Sequence, residues 1–267
     1  MNNKLNQPIL ISIVTANSDK IFRTLDNFIS TVKDETAVKI RIFDNNSLPE
    51  YKKRLTEYRK YPYIDIYFHD ENSGFGYGHN HNLIASDSRY GIICNPDILV
   101  DEETVTALVL LLKEHPECAM LAPKILNEDG TTQHLIREQL AVFDYVLRFV
   151  PFKWVKKKFD KRLAVFECRG LPTDANSYVR MISGSFMVAD IDKFKEIKGF
   201  DERFFMYFED NDLCLSFEKA GYKLLYTPFY GVIHFYGKGA HRNAKLFRVF
   251  LTSMMKFFNK WGWRFFR

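Results

Sequence analysis

Five short apolar runs, separated by stretches of helical periodicity, constrain the first 123 residues more than any other feature. Pro8 to Ala16 is unbroken and closes on Asn17. Val38 to Phe43, Ile64 to Phe68, Tyr90 to Cys94 and Ala119 to Pro123 repeat the pattern. Each is too short for a buried helix, and the first four are rich enough in β-branched and aromatic residues for a strand. Between them, Asp19 to Val32 carries apolar residues at helical spacing, Pro49 to Tyr61 reads as a polar helix, the glycine turn leads into a helix through Asp87, and Asp101 to Glu114 reads as a helix with an acidic start. Strand and helix alternating in this way predict an α/β domain with a doubly wound, mostly parallel central sheet. Ligands of such sheets bind beyond the carboxyl ends of the strands. Three turns of special composition fall there: Asp44-Asn45-Asn46-Ser47, the glycine-rich Asn72 to Gly78, and Asn95-Pro96-Asp97.

The second half is less regular. Residues 124 to 178 carry no clear period, and alternation resumes over Arg180 to Ala189. An aromatic run, Phe204 to Phe208, then meets the acidic cluster Glu209-Asp210-Asn211-Asp212, which opens a helix closed by Gly221. Two short strands are expected next, Lys223 to Tyr226 and Tyr230 to Phe235. No linker or repeat interrupts residues 1–239, which read as one domain with an alternating half to about 123 and a less regular half to 239. Residues 240–267 form a separate tail.

Charge sets that tail apart. Lys238 to Arg267 holds eight basic residues and no acidic one, leaving 30 basic against 33 acidic elsewhere. A second basic patch, Arg148 to Arg162, opposes seven Lys/Arg to Asp160 alone. On a helical wheel Phe247, Phe250, Leu251, Met254, Phe257, Phe258, Trp261 and Phe265 share one face of the tail, and the basic residues share the other. Such a helix either packs its stripe on the body or lies on anionic lipid. The one-signed outer face favours a membrane surface, since each basic residue there contributes about 1 kcal/mol. No RNA or DNA module accompanies the charge, so no nucleic-acid partner is expected. No run of 18 apolar residues suggests a transmembrane helix. The start, Met1-Asn2-Asn3-Lys4, lacks a cleavable signal pattern, and the four cysteines form no CxxC pair. A cytoplasmic chain with reduced thiols, peripheral on the inner face of the membrane, is the expectation.

Taken singly, the local motifs leave alternatives open. Asn95-Pro96-Asp97 is either a plain turn or a carboxylate facing a divalent cation. The glycines Gly74, Gly76 and Gly78 alternate and follow the third strand, which disfavours a dinucleotide fold but permits close approach of backbone amides to phosphate. His79 and His81 read as exposed residues at a helix start rather than a metal pair. The acidic cluster either complements a helix dipole or supplies a general base at the mouth of an apolar pocket. His234 is a ligand or a satisfied core histidine.

In order, ISIVTAN, FDNNS, NSGFGYGHN, CNPDI, SGSFMVA, GFDERFFMYFEDNDLCL and IHFYGKG resemble the inverting GT-A glycosyltransferases of family 2. The likeness runs from about Ile9 to Gly239 and is greatest to bacterial rhamnosyltransferases that build O-antigen and other surface polysaccharides. It implies a GT-A fold with a Rossmann-like nucleotide-binding half and a C-terminal amphipathic helical extension. It also implies non-processive, inverting transfer of L-rhamnose from dTDP-rhamnose to a polyprenyl-diphosphate-linked saccharide. Thr15 and Asn17 would flank the nucleotide, and Asp44, with Asn45, would bind the pyrimidine. Asn72, Gly74, Phe75 and Asn80 would line the ribose and diphosphate side. Asp97 and His234 would hold Mg²⁺ or Mn²⁺, Ser183 and Gly184 would floor the sugar pocket, and Asp210, with Glu209 beside it, would be the base.

The sequence departs from the pattern at Asn95, which replaces the first aspartate of DxD, at Ala16, where relatives carry tyrosine, and at Ser216, where they carry arginine or lysine. QxxRW is absent, which speaks against a processive synthase. The rival readings are a non-catalytic sugar- or membrane-binding module and a sugar-phosphate nucleotidyltransferase. The latter would need a glycine-rich loop where this chain has TANSDK. The central expectation is geometric: Asp44, Asp97 and Asp210 should converge on one cleft.

Overall fold

The computed structural model describes residues 7–138, 140–235 and 244–266. Gly237, Lys238, Gly239, Arg242 and the expected boundary at 239/240 lie outside the described residues, as do the N-terminal residues Met1 to Lys4, Arg267, and the side chains of Arg148 and Lys153. The first half follows the alternation of its sequence. Strand β1 (Ile9–Thr15), helix α1 (Lys20–Thr31), β2 (Val38–Asn45), α2 (Pro49–Thr56), β3 (Ile64–His69), α3 (Phe75–Ile84) and β4 (Tyr90–Cys94) build a parallel unit ordered β3-β2-β1-β4. All seven residues of β1 are buried. Ile9, Ile11 and Ile13 face the core under α1 and α2, while Leu10 faces the opposite core with Leu83 of α3. Burial on both faces is why the run is continuous rather than alternating.

Beyond β4 the order departs from simple winding. A two-residue strand β5 (Ile98–Leu99) and helix α4 (Glu102–Lys113) lead to β6 (Cys118–Leu126). Asp101 caps α4 by accepting from the Thr104 amide at 2.7 Å. β6 does not lie beside β4. The gap is filled from the second half by β8 (Phe186–Asp190), antiparallel to both. A short β7 (Ser177–Val179) pairs antiparallel with β9 (Lys223–His234), which runs parallel to β6. The nine strands thus form one mixed, curled sheet with helices on both faces. The two strands expected near the end are a single one. The register to β6 jumps between Pro123 and Lys124, which pair with Thr227 and Gly231, so Pro228 to Tyr230 bulge out. Proline interrupts the apolar pattern there, and a bulge is where a strand tolerates it.

The irregular middle folds as three short helices, α5 (Val142–Phe149), α6 (Lys153–Lys158) and α7 (Asp160–Phe166), followed by β7. Arg162 of α7 donates to the fully buried Asp144 of α5 at 2.6 Å. Helices α8 (Ile191–Glu196) and α9 (Glu209–Lys219) complete the body.

The tail forms helix α10 (Ala244–Trp261), and its apolar stripe is used on the protein. Phe250, Phe257 and Phe258 are buried in the core that holds Phe208 of the aromatic run and Tyr145 of α5. Each such side chain contributes about 1.5–3 kcal/mol of burial. Polar ties accompany them. Ser253 donates to the Met206 carbonyl at 2.8 Å, Lys260 reaches Asp212 and Asp201, and Trp261 Nε1 donates to Asp212 Oδ1 at 2.7 Å. Part of this stripe therefore packs on the body, while Phe247, Leu251 and Phe265 of the same stripe are exposed. Among the described residues no helix is long and apolar enough to cross a membrane.

Candidate active site

The turns at the strand ends are stitched together by asparagine side chains. Asn17, at φ 55°, donates its amide to Ser47 Oγ and accepts from the Leu48 amide, both at 2.8 Å. Asn45 donates to the Gly74 carbonyl at 2.9 Å and accepts from the Ser73 amide at 3.1 Å. Gly74 has φ +96°, and a Cβ there would stand 2.3 Å from the Phe205 carbonyl oxygen. Glycine is required on both counts. The Phe75 amide donates to the same oxygen at 3.0 Å, so the glycine turn is docked on the distant aromatic run.

That run is strained. Tyr207 and Phe208 both have positive φ, 69° and 68°, immediately before the acidic helix. Two non-glycine residues in this region cost about 1–3 kcal/mol each. The Phe208 ring is held by Tyr145, Phe250 and Phe257 at centroid distances of 4.9, 5.3 and 5.4 Å. The reversal aims the start of α9 into a cavity of about 480 Å³ at the carboxyl ends of the strands.

Thr15, Asn45, Asn72, Gly74 and Phe75 line one side of this cavity. Asn95, Asp97 and His234 line a second, and Ser183, Gly184, Glu209 and Asp210 a third. Three expected residues are elsewhere. Asn17 is exposed and serves only the loop stitching described above. Asn80 is buried, donating to the Phe200 carbonyl and Glu202 and accepting from the Phe200 amide, so its amide is consumed in holding that turn. Asp44 is fully buried behind the wall. Its Oδ2 accepts from the Ser47 amide at 3.1 Å, and its Oδ1 is buried without a hydrogen-bond partner. Of the three carboxylates expected to converge, Asp97 and Asp210 do so and Asp44 does not. His79 is also relocated: it is fully buried rather than exposed, bonded to Ser12 Oγ at 2.7 Å, and burial lowers its pKa to about 3.

Asp210 is half-buried, with Oδ2 accepting from the Gly184 amide at 3.0 Å and Oδ1 from the Asn211 amide at 2.8 Å. Loss of water outweighs these bonds and raises its pKa above the usual carboxylate range. Glu209 is raised further, by burial and then by the charge of Asp210. Gly184 leaves room for this pair, since a Cβ there would touch the Phe75 ring at 3.3 Å and Asp210 Cβ at 3.4 Å. On the other side β5 pairs Ile98 with His234 of β9, setting Asp97 beside the imidazole. Asp97 Oδ1 and His234 Nε2 are 3.3 Å apart, and Lys20 Nζ is 3.4 Å from Asp97 Oδ2.

Sequence reasoning missed several wall residues. Arg137 is buried in the cavity wall, donating to the His134 and Ile136 carbonyls at 2.7 and 2.6 Å. Its charge acts to lower the Asp210 pKa. Ser216, the departure from the family pattern, turns its hydroxyl back to the Asp212 carbonyl at 2.8 Å. The wall's guanidinium therefore comes from the irregular segment, where a lone arginine gives no pattern to find. Tyr145 and Phe250 also reach the wall, the latter from the tail. The cysteines are free, and Cys94, Cys118 and Cys214 are buried.

Comparisons with known proteins give the family and the fold. The family described as Glycosyl transferase family 2 matches residues 11–178. The chain is 24% identical over 264 residues to the rhamnosyltransferase WbbL of Escherichia coli K12, covering 93% of this chain and 91% of that one. It is 26% identical over 225 residues to the N-acetylglucosaminyl-diphospho-decaprenol L-rhamnosyltransferase of Mycobacterium tuberculosis H37Rv, covering 79% and 71%. Among solved structures, GalNAc-T7 with UDP, GalNAc and Mn²⁺ aligns with 96% of this chain at a TM-score of 0.68 and 16% identity. This chain spans about half of that protein, 48%. S. aureus TarS 1-349 in complex with UDP aligns with 93% of this chain and 66% of its own, at a TM-score of 0.57 and 14% identity. Those two likenesses establish the GT-A architecture, and the family match over more than half of the chain settles the rest: this protein belongs to glycosyl transferase family 2 and is a glycosyltransferase.

Proposed function

We propose that the protein transfers L-rhamnose from dTDP-rhamnose, with inversion, to a polyprenyl-diphosphate-linked saccharide. The observation that carries this reading is the shared cavity, whose lining brings together an imidazole–carboxylate pair, a carboxylate of raised pKa and a glycine turn. The donor class and the lipid-linked acceptor draw on the two rhamnosyltransferase relatives, one of which is named for a decaprenol-linked substrate.

In this reading Asp210 takes the proton of the acceptor hydroxyl as its oxygen attacks the anomeric carbon, and the bond to the nucleoside diphosphate breaks on the opposite face. A raised pKa suits a base working near neutrality. The Gly184 amide keeps one carboxylate oxygen oriented. Asn45 holds the glycine turn, whose backbone approaches the donor without side chains in the way, and Thr15, Asn72 and Phe75 complete that wall. Asn17, Asn80 and Asp44 support the walls from behind, and Asp44 meets a pyrimidine only where the ring penetrates beyond the lining.

Asp97 and His234 are the residues that would hold a divalent cation, Mg²⁺ or Mn²⁺, with Asn95 nearby. One carboxylate and one imidazole are too few for an all-protein cage, and among the described residues no cluster of three or more ligating side chains exists. They suit a cation completed by substrate phosphate oxygens. Bound there, it would neutralise charge on the leaving diphosphate.

Membrane proximity rests on surface chemistry. Phe152, Trp154, Phe265 and Phe266 are exposed, 57–68% each, beside the basic α6. The Val142 and Phe143 amides donate to the Arg264 and Phe265 carbonyls, which brings the chain's last described residues onto α5. This aromatic and basic face, with the exposed Lys245 and Arg248 of α10, fits the anionic inner surface of a cell membrane. A thermal-shift panel of nucleotide sugars with and without Mn²⁺ tests the donor. dTDP-rhamnose with Mn²⁺ should give the largest rise in melting temperature, because ligand binding to the folded state stabilises it by mass action. A larger rise with another nucleotide sugar would remove rhamnose from the proposal.

A further inference from the structure

Gln133 belongs to none of the motifs read from the sequence, yet it lies at the junction of the cavity's cation pair. After β6 the chain turns through Asn127 to Thr131, closed by the Asn127 amide on the Thr131 carbonyl and the Gly130 amide on the Asn127 carbonyl. It returns so that the Gln133 amide bonds the Ile125 carbonyl at 2.8 Å, beside the end of β9. The side chain then meets His234 twice. Gln133 Nε2 donates to the His234 carbonyl at 2.8 Å, and Gln133 Oε1 stands 3.0 Å from His234 Nδ1.

The orientation of this amide is decided by its surroundings. Its nitrogen faces Asn127 Oδ1 at 2.8 Å and the Leu126 carbonyl at 3.5 Å in addition to the His234 carbonyl. A flipped amide would set oxygen against three oxygens and leave two N–H groups pointing at a ring. Gln133 Oε1 is therefore an acceptor toward Nδ1, and an acceptor there requires Nδ1 to carry the proton. In the neutral ring the lone pair then belongs to Nε2, 3.3 Å from Asp97 Oδ1. Two electron-pair donors face one another across that gap, an arrangement suited to a cation between them.

We infer that Gln133 is the positioning residue that holds His234 in the Nδ1–H tautomer and so keeps Nε2 available as a ligand. The inference rests on the cation reading of the Asp97–His234 pair. Partners that fix the tautomer of a ligating histidine typically change metal affinity 10–100-fold when lost. Without Gln133 the Nδ1 proton loses this acceptor, and the tautomer that carries the proton on Nε2 and donates it to Asp97 gains, which occupies both ligands with each other.

The test combines ring ¹⁵N NMR on the metal-free full chain, at a pH where His234 is neutral, with Mn²⁺ titration in the presence of UDP and thermal unfolding of every variant. Wild type should display the Nδ1–H tautomer. Gln133→Met should shift His234 toward Nε2–H and weaken Mn²⁺ about 10–100-fold. Gln133→Glu keeps an acceptor toward Nδ1 but sets oxygen against the Asn127, Leu126 and His234 oxygens. It should lose melting temperature and still retain the tautomer and the Mn²⁺ affinity. A purely structural role predicts the reverse, with Gln133→Glu losing metal at least as badly as Gln133→Met. An unchanged tautomer and affinity in Gln133→Met, alongside Mn²⁺ binding by wild type, would overturn the role of Gln133 alone. No Mn²⁺ uptake by wild type would overturn the cation reading, and this role with it.

Discussion

Two of the cavity's walls are built by different physics. The wall at the ends of β1, β2 and β3 is made of turns on parallel strands, of which β1 is buried throughout, cross-tied by Asn17 and Asn45. Its shape is set by these turns and by the short polar side chains that tie them. The wall that carries Glu209 and Asp210 begins with two residues at positive φ and is held by aromatic rings from α5 and α10. Those rings, with the Gly184 amide on Asp210 and the α10 ties to Asp212, keep the acidic helix aimed inward. One wall is stable by construction, the other by clamping.

The sharpest separation between the walls comes from Asp210→Asn. It removes the proposed base without touching the glycine turn, so turnover should fall about 10²–10⁴-fold. Donor affinity, read by calorimetry with the nucleotide sugar, should stay within a factor of a few. Lost affinity with the fold intact would give Asp210 to the donor wall and merge the two.

Nearly as large, and diagnostic of the clamp, is Phe258→Ala. The ring is 1% exposed beneath the aromatic run, and its truncation should cost about 3–5 kcal/mol in chemical denaturation. Phe247→Ala on the same helix, at 38% exposure, should cost well under half of that. Equal effects would mean that α10 is not seated on the body as described.

The difference between the walls is also the difference in what could be read from the sequence. Pro8 to Ala16 announces itself as a strand because burial on both faces leaves no charged residue to interrupt it, and the later runs do so by their short apolar stretches between turns. That Asp97, Asp210 and His234 line one cavity was legible only through the family resemblance, since local composition at each strand end or helix start left alternatives open. Insertion of β8 between β4 and β6 was not legible, since pairing across about 70 to 100 residues leaves no periodic trace. Arg137 and Gln133 come from an irregular segment whose side chains acquire meaning only once β9 lies beside it. The tail left two readings open for a related reason: an amphipathic stripe specifies an apolar partner but not which one. Lys260 and Trp261 on Asp212 are what assign it to the body.

The point where the walls meet can be struck directly. Gly74→Ala puts a methyl group 2.3 Å from the Phe205 carbonyl oxygen at a φ that alanine resists. Loss of about 1–3 kcal/mol of stability is expected from backbone strain. Because the turn and the run must part, donor affinity and turnover should fall together. If the destabilised variant keeps full donor affinity, the glycine turn does not shape the donor site.

The smallest effect has the opposite sign. Glu209 is buried with Oε2 lacking a hydrogen-bond partner, and burial followed by the neighbouring Asp210 charge raises its pKa well above the ordinary range. A carboxyl whose pKa is raised on folding holds its proton more tightly in the folded protein than in the unfolded chain. Its ionisation therefore costs stability, increasingly as pH climbs from the unfolded-state pKa to the folded one, and fully above it. Glu209→Gln removes the buried ionisable group, so it should stabilise the protein at neutral pH by about 1 kcal/mol. That corresponds to a rise of about 2–4 °C in melting temperature. The gain should shrink as pH falls and vanish near pH 4, where both states of the wild type carry the proton. The same substitution leaves the strand-end wall untouched, so nucleotide binding should be unchanged. A gain independent of pH would mean that shape rather than charge limits stability there, and a loss would mean that the buried carboxylate is satisfied by a contact of its own.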